Sequence, residues 1–274
     1  MRLLLCTDMD RTVIPNGHQP EATDARLCFR QFCEHPEVTL VYVTGRHLAL
    51  MEDAVEQYQL PTPDYAITDV GTRIYQRHAQ DWCNLADWQN EIDLAWNSVQ
   101  PRQIIRQLVN IRGLTLQPEE KQNPHKISFY ADTEQLTEAD CLTQVKDALQ
   151  PLEIQANLIW SVDETTDTGL LDILPPLANK HHAIEFLQQH LGFVPQEVVF
   201  AGDSGNDLPV IISPIQAVLV ANATEQVKHQ AWQLVQQHHT ESAFYQATNQ
   251  QACEGNYAAG VLQGVWHFRP ELKG

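Results

Sequence analysis

Arg2-Leu3-Leu4-Leu5-Cys6-Thr7-Asp8-Met9-Asp10-Arg11-Thr12 begins as an apolar run and ends with two carboxylates two positions apart. A short apolar run without alternation reads as a strand covered on both faces, the state of strands in a parallel sheet. Four more segments share this character: Val38–Val43, Tyr65–Thr68, Glu197–Ala201 and Ala217–Val220. Helices are expected over Asp24–Cys33, His47–Tyr58, Lys180–Leu191 and Glu225–Gln236. Strand and helix alternating in this way imply an α/β fold: a doubly wound (Rossmann-like) parallel-sheet core with right-handed crossovers.

The middle of the chain has a different pattern. Between Ala79 and Pro175, strands are expected at Leu114–Gln117, Lys126–Ala131, Ile154–Val162 and Leu170–Leu174, and helices at Arg102–Ile111 and Thr137–Leu149. This α+β stretch interrupts the α/β pattern without long Gly/Ser linkers, so it is expected to form an inserted cap domain. The expected division is a core of residues 1–78 and 176–274 and a cap of residues 79–175.

The 274 residues carry 17 Lys+Arg against 35 Asp+Glu, a formal charge of −18. Such a surface disfavours general binding to nucleic acid or to anionic membrane, while a local basic pocket for one small anion remains allowed. No apolar run is long enough for a transmembrane helix, and the apolar start is too short for a signal sequence, with Asp8 and Asp10 following at once. The six cysteines, Cys6, Cys28, Cys33, Cys83, Cys141 and Cys253, form no C-x-x-C pair. Reduced thiols in a cytoplasmic protein are the expectation.

Four segments carry chemistry. Asp8 and Asp10 stand where the first strand gives way to its loop, and ligands of open α/β sheets sit at such carboxyl ends. Two acids there repel unless a cation or a proton separates them; a polar strand end with a turn is the plainer alternative. In Val41-Tyr42-Val43-Thr44-Gly45-Arg46, an apolar strand ends in a hydroxyl and a glycine before a helix. Thr44 and nearby N–H groups could hold an anion there, or simply cap the helix. Lys180 begins a helix, against the favourable direction of the helix dipole, which has a reason if its ammonium points into an anionic site. A surface lysine is the alternative. Ala201-Gly202-Asp203-Ser204-Gly205-Asn206-Asp207 delivers two carboxylates four apart in a glycine-containing loop, a composition suited to a hard cation such as Mg²⁺. All four segments fall at strand ends or helix starts of one expected sheet. Together they offer a nucleophile, an acid, phosphate ligands, a cation and metal ligands.

In order and spacing these segments resemble the four motifs of the haloacid dehalogenase superfamily of phosphatases, with a cap inserted between the second and third. Leu60-Pro61-Thr62-Pro63-Asp64-Tyr65-Ala66-Ile67-Thr68-Asp69-Val70-Gly71-Thr72-Arg73-Ile74-Tyr75, Gln122-Asn123-Pro124-His125-Lys126-Ile127-Ser128 and Gly202–Asp207 further resemble sucrose-phosphate phosphatases. The resemblance runs over nearly the whole chain, to a closing helix at Ala258–Phe268.

The resemblance implies Asp8 as nucleophile, Asp10 as acid and base, and Mg²⁺ held by Asp8, Asp10, Asp203 and Asp207. It implies Thr44, Gly45, Lys180 and Asn206 on the phosphoryl oxygens, Arg46 among the substrate-binding residues, Gly71 and Thr72 lining the substrate entrance, and Gln122, Asn123 and Lys126 meeting the sugar. For those last three an Asn-Pro turn is the alternative. The implied substrate is a small-molecule sugar phosphate, sucrose 6-phosphate first. Mannosylfructose phosphate and mannosyl-phosphoglycerate are rivals. A monomer is expected, and a sucrose-phosphate synthase is the protein partner the resemblance suggests. A phosphatase-like binding domain without catalysis is a reading of another class; the presence of every expected carboxylate and of the lysine argues against it. Two departures stand out. Arg11 occupies a place where Gly or Asn is often found and is expected to be exposed, with pairing to a cap carboxylate as the alternative. Asp163–Gly169 is longer and more acidic than the corresponding loop.

Overall fold

The computed structural model describes residues 2–96, 99–163, 168–249 and 254–273. In chain order the strands are β1 (Leu3–Thr7), β2 (Val38–Val43), β3 (Tyr65–Thr68), β4 (Arg73–His78), β5 (Asp81–Asn84), β6 (Leu114–Leu116), β7 (Ile127–Ala131), β8 (Asn157–Asp163), β9 (Thr168–Leu174), β10 (Val198–Gly202), β11 (Gln216–Leu219) and β12 (Phe244–Gln246). The helices are α1 (Ala25–Cys33), α2 (Leu48–Gln57), α3 (Ala86–Asp93), α4 (Pro101–Leu108), α5 (Glu138–Leu149), α6 (Lys180–His190), α7 (Leu208–Ile211), α8 (Glu225–His238) and α9 (Tyr257–Phe268). The chain divides into two compact units, residues 1–84 with 180–274, and residues 85–179.

The first unit is built on a sheet with strand order β12-β11-β10-β1-β2-β3-β4-β5. The pairs from β12 to β3 are parallel, and β1 lies in the middle, entirely buried. Its unalternating apolar sequence follows from that position, because both faces are covered. Leu3 and Leu5 share one core with Phe29 of α1, Met51 of α2 and Val261 and Val265 of α9. Across the sheet, α6 and α7 touch β3 and β11.

The sheet is not wholly parallel. β4 and β5 pair antiparallel at one edge. β4 is partly exposed and polar at Arg73 and from Gln76 to His78, so it lacks the apolar run by which the buried strands are read. This hairpin also shifts a boundary: Asp81–Asn84 belongs to the first unit's sheet, which puts the division at 84/85 rather than 78/79. At the other end, Asn157 Nδ2 donates to the Ala178 carbonyl at 3.3 Å, and the division falls at 179/180 rather than 175/176.

The second unit carries a sheet in the order β6-β7-β9-β8, antiparallel throughout. Phe129, Leu171 and Ile173 join Ile104 and Leu108 of α4 and Cys141, Val145 and Leu149 of α5 in its core. Strand residues alternate between faces, so Ser128 and its register partner Asp172 stand on the other face.

Candidate active site

Register assembles the site. Thr7 of β1 lies level with Tyr42 of β2 and Ala201 of β10. Asp8, Thr44 and Asp203, one or two residues further on, therefore emerge together at the carboxyl ends of three adjacent parallel strands. The Asp8 N–H donates to the Ala201 carbonyl at 2.8 Å, which continues the ladder past the strand.

The buried Lys180, at the start of α6, joins the strand ends. Its Nζ donates to Asp8 Oδ1 at 2.8 Å, to Asp207 Oδ1 at 2.7 Å and to Asn206 Oδ1 at 3.3 Å. Burial alone would lower the affinity of this ammonium for its proton. The carboxylates of Asp207 and Asp8 outweigh that effect and hold it charged. The cation is therefore a paired one inside an anionic site, not a surface lysine.

Asp207 locks the loop after β10. Its Oδ2 accepts from the N–H groups of Asp203 and Ser204, each at 3.1 Å, and from Ser204 Oγ at 3.0 Å. A Cβ on Gly202 would lie 2.5 Å from the Asp207 carboxyl, so only glycine admits this close approach.

Asp8, Asp203 and Asp207 each offer a carboxylate oxygen within 4.8 Å of the others, and all three are buried. Burial, opposed by Lys180, pushes the Asp8 carboxyl up to about 7. Burial and the neighbouring charges of Asp8 and Asp207 push Asp203 well up too. Oxygen donors whose ionised forms are short of compensating charge suit a hard divalent cation. Asp207 accepts four hydrogen bonds, from Lys180, the Asp203 and Ser204 N–H groups and Ser204 Oγ, whereas Asp8 accepts one from Lys180 and a longer one from Thr12 Oγ1 at 3.3 Å, so Asp207 is the most committed of the three to holding the loop.

Asp10 is engaged differently. Arg46 Nε donates to its Oδ2 at 2.8 Å and Nη2 to its Oδ1 at 2.6 Å, and Asn16 Nδ2 adds 2.8 Å to Oδ1. Burial pushes the carboxyl up, but this fork more than offsets it and holds Asp10 below the usual carboxylate range. Arg46, expected among the substrate-binding residues, is here the partner of Asp10. Asn16 was not singled out in the sequence; no motif marks it.

Thr44 is buried, and its Oγ1 accepts from the Arg46 N–H at 3.1 Å. The loop from Thr44 to Arg46 is held by the turn that contains Gly71. Val70 N–H donates to the Thr44 carbonyl at 3.1 Å and Asp69 N–H to the Arg46 carbonyl at 2.9 Å. Asp69, Val70 and Gly71 have φ of 51°, 61° and 97°, and a β-branched residue adopts such a φ only where its surroundings impose it. Thr72 Oγ1 donates to the Asp69 carbonyl at 3.0 Å, closing the turn.

Gln122, Asn123 and Lys126 lie in the second unit. Gln122 Nε2 donates to the carbonyls of Gln117 and Ser128, and its Oε1 accepts from the Ser128 N–H. Asn123 and Lys126 exchange backbone hydrogen bonds across a tight turn, in which Asn123 Oδ1 accepts from the His125 N–H at 2.8 Å. Lys126 is buried; its Nζ donates to Ser128 Oγ at 2.8 Å and to the Lys121 carbonyl at 3.0 Å, and lies 3.6 Å from Asp172 Oδ1. The turn is present, and Gln122 and Asn123 help to make it. Asp172 was not singled out in the sequence because an isolated Asp in a strand carries no signal. Glu164–Asp167 lies outside the described residues, as does Cys253.

His181 and His182 stand on the first turn of α6. His181, His182 and Glu185 offer ligand atoms within 4.8 Å of one another; His181 pairs with Glu185 at i,i+4, 3.4 Å, and its ring lies 5.3 Å from that of His182.

Residues 1–269 match the family of sucrose-6F-phosphate phosphohydrolases. The chain belongs to that family. It thereby joins the phosphoric monoester hydrolases of the haloacid dehalogenase superfamily, whose fold the two sheets reproduce. A protein of Nitrosococcus oceani whose name goes no further than HAD-like hydrolase is 45% identical over 99% of this chain and 73% of its own. Mannosylfructose-phosphate phosphatase of Agrobacterium fabrum is 29% identical, covering 97% of this chain and 96% of its own. Sucrose-phosphatase 1 of Nicotiana tabacum is also 29% identical, but this chain spans only 59% of it. Among solved structures, the sucrose-phosphatase of Synechocystis sp. PCC6803, determined with sucrose and phosphate, superimposes with a TM-score of 0.77 at 27% identity and covers 98% of both chains. A haloacid dehalogenase-like hydrolase of Bacillus subtilis shares the fold at 15% identity and a TM-score of 0.67.

Proposed function

We propose that this member of the family hydrolyses sucrose 6-phosphate to sucrose and phosphate through an aspartyl-phosphate, with Mg²⁺ as its cation. The observation that carries the reading is the buried Asp8 beside Lys180 and Asp203, a nucleophile facing both a fixed ammonium and a second carboxylate. A carboxylate can approach a dianionic phosphate only if positive charge surrounds the phosphoryl oxygens, and supplying that charge is most of what phosphoryl transfer requires.

In the first step an Asp8 oxygen attacks phosphorus in line. The bond from phosphorus to the sugar oxygen breaks, and that oxygen takes the proton of Asp10. In the second step the Asp10 carboxylate takes a proton from water, whose oxygen attacks phosphorus and returns Asp8 to its free form. Lys180, Thr44 and the Gly45 N–H hold phosphoryl oxygens. Asp8, the Asp10 carbonyl and Asp203 would hold Mg²⁺, which supplies charge neutralisation at the phosphate. Asp207 keeps Lys180 and the Asp203 loop in place.

Recognition of the sugar is assigned to the second unit, at Lys126 and Asp172, whose charged groups suit hydroxyls. The Agrobacterium relative matches this chain over nearly its full length, so mannosylfructose phosphate is the second reading. Phosphate release from a panel of disaccharide and monosaccharide phosphates decides between them. Sucrose 6-phosphate should give the highest kcat/KM. EDTA should abolish release and Mg²⁺ restore it, with Ca²⁺ a poor substitute because of its larger, looser shell. A higher kcat/KM for mannosylfructose phosphate would move the assignment, and full activity after rigorous chelation would remove the cation from it.

A further inference from the structure

Arg11 stands between Asp10 and Thr12 with φ 59°. A long side chain at such a φ persists only where the surroundings over-determine it, and here they do. The Arg11 N–H donates to Asn16 Oδ1 at 2.8 Å, and its carbonyl accepts from Asn222 Nδ2 at 2.6 Å. Asn16 is fixed on Asp10, and Asn222 Oδ1 accepts from the Tyr257 N–H at 2.8 Å. Segments following β1 and β11 and the start of α9 thus hold one backbone turn.

The turn brings the guanidinium to Asp203, with Nε 3.2 Å from Oδ2. The Asp203 side chain is only 5% exposed and that of Arg11 26%. Lys180 bonds to Asp8 and Asp207, whereas the cation facing Asp203 is Arg11. Among the described residues, Asp8, Asp203 and Asp207 thus meet two cations, Lys180 and Arg11. One bonds to the nucleophile, and the other lies against Oδ2 of a carboxylate in the acidic cluster.

We propose that Arg11 is an internal counter-cation of the metal site, pairing with Asp203 while no divalent ion is bound and yielding that carboxylate when one binds. This rests on the divalent-cation reading of the Asp8 and Asp203 pair. A guanidinium and a divalent ion on one carboxylate repel each other, so metal loading is opposed by the strength of the Arg11 pair. Arg11 thereby stabilises the metal-free site and sets the concentration of metal at which it fills.

Calorimetric titration of the full chain with Mg²⁺ alone, without substrate, tests this. Arg11→Gln removes the charge at similar length, and Arg11→Asn removes it with a residue that tolerates the left-handed turn; Arg11→Lys keeps the charge. Both neutral variants should bind Mg²⁺ about tenfold more tightly than the parent chain, with the lysine variant close to the parent. Equal or weaker binding by the neutral variants overturns the counter-cation role. Failure of the parent chain to bind Mg²⁺ at all overturns instead the metal reading on which the role rests.

Discussion

At the scale of single residues, the pairing of Asp10 with Arg46 has a consequence for pH. Catalysis as proposed uses Asp10 as acid in the first step and base in the second. The Arg46 fork favours the ionised form, which is the form the second step needs. Arg46→Ala removes the strongest of the groups that lower the carboxyl and leaves only Asn16 and Lys180 against burial, which raises it. The Asp10 carboxyl should then hold its proton to higher pH, and the acid limb of the kcat–pH profile should move upward. An unmoved limb would mean that another group sets it. Asp8, Asp10, Lys180 and Asp203 are legible in the sequence because strand ends and a helix start announce them. The pairing of Asp10 with Arg46 is not, since 36 positions separate the two and only the strand register brings them together. Arg11 on Asp203 is hidden for the same reason.

Among elements, the loop after β10 depends on Gly202. Adding a Cβ 2.5 Å from the Asp207 carboxyl forces that side chain off the Asp203 and Ser204 N–H groups. Gly202→Ala should cost about 1–3 kcal/mol as an overpacked buried site. For a chain of this size that lowers Tm by roughly 2–4 °C per kcal/mol, and phosphatase activity should fall with it as Lys180 loses its Asp207 partner. Thermal melts and turnover of the variant check this; unchanged values for both would show that the loop has another way to accommodate the methyl. The buried strands of the first sheet are readable because burial on both faces demands continuous apolar sequence. The hairpin of β4 and β5 escapes that signal because it lies at a sheet edge, where partly or fully exposed polar residues such as Gln76, Arg77, His78, Asp81 and Asn84 interrupt the apolar run. β12 escapes it because three residues are too few to show a period, and its pairing with β11 is a tertiary fact.

For the whole molecule, the claim is a division of labour: chemistry in the first unit and sugar recognition in the second. Among the described residues no helix is long and apolar enough to cross a membrane. With a formal charge of −18, the anionic substrate proposed above would depend on local positive charge at Lys180 and the proposed cation and not on the surface field. Lys126 tests the division. Loss of a charged hydrogen bond to the sugar, about 1.5–3 kcal/mol, corresponds to roughly ten- to a hundredfold in kcat/KM for Lys126→Ala. p-Nitrophenyl phosphate, which has no sugar, should change by no more than about twofold on that account. Equal loss on both substrates would make Lys126 a structural member of its turn, as its bonds to Ser128 and Lys121 also allow. The central claim is that Asp8 becomes phosphorylated. Acid quenching during turnover of the sugar phosphate, followed by peptide mass analysis, should find one phosphoryl group on the peptide bearing Asp8. Asp8→Asn should lose both that adduct and nearly all turnover while keeping its fold. Turnover that persists in Asp8→Asn, or a phosphoryl group trapped on a different residue, would contradict the account.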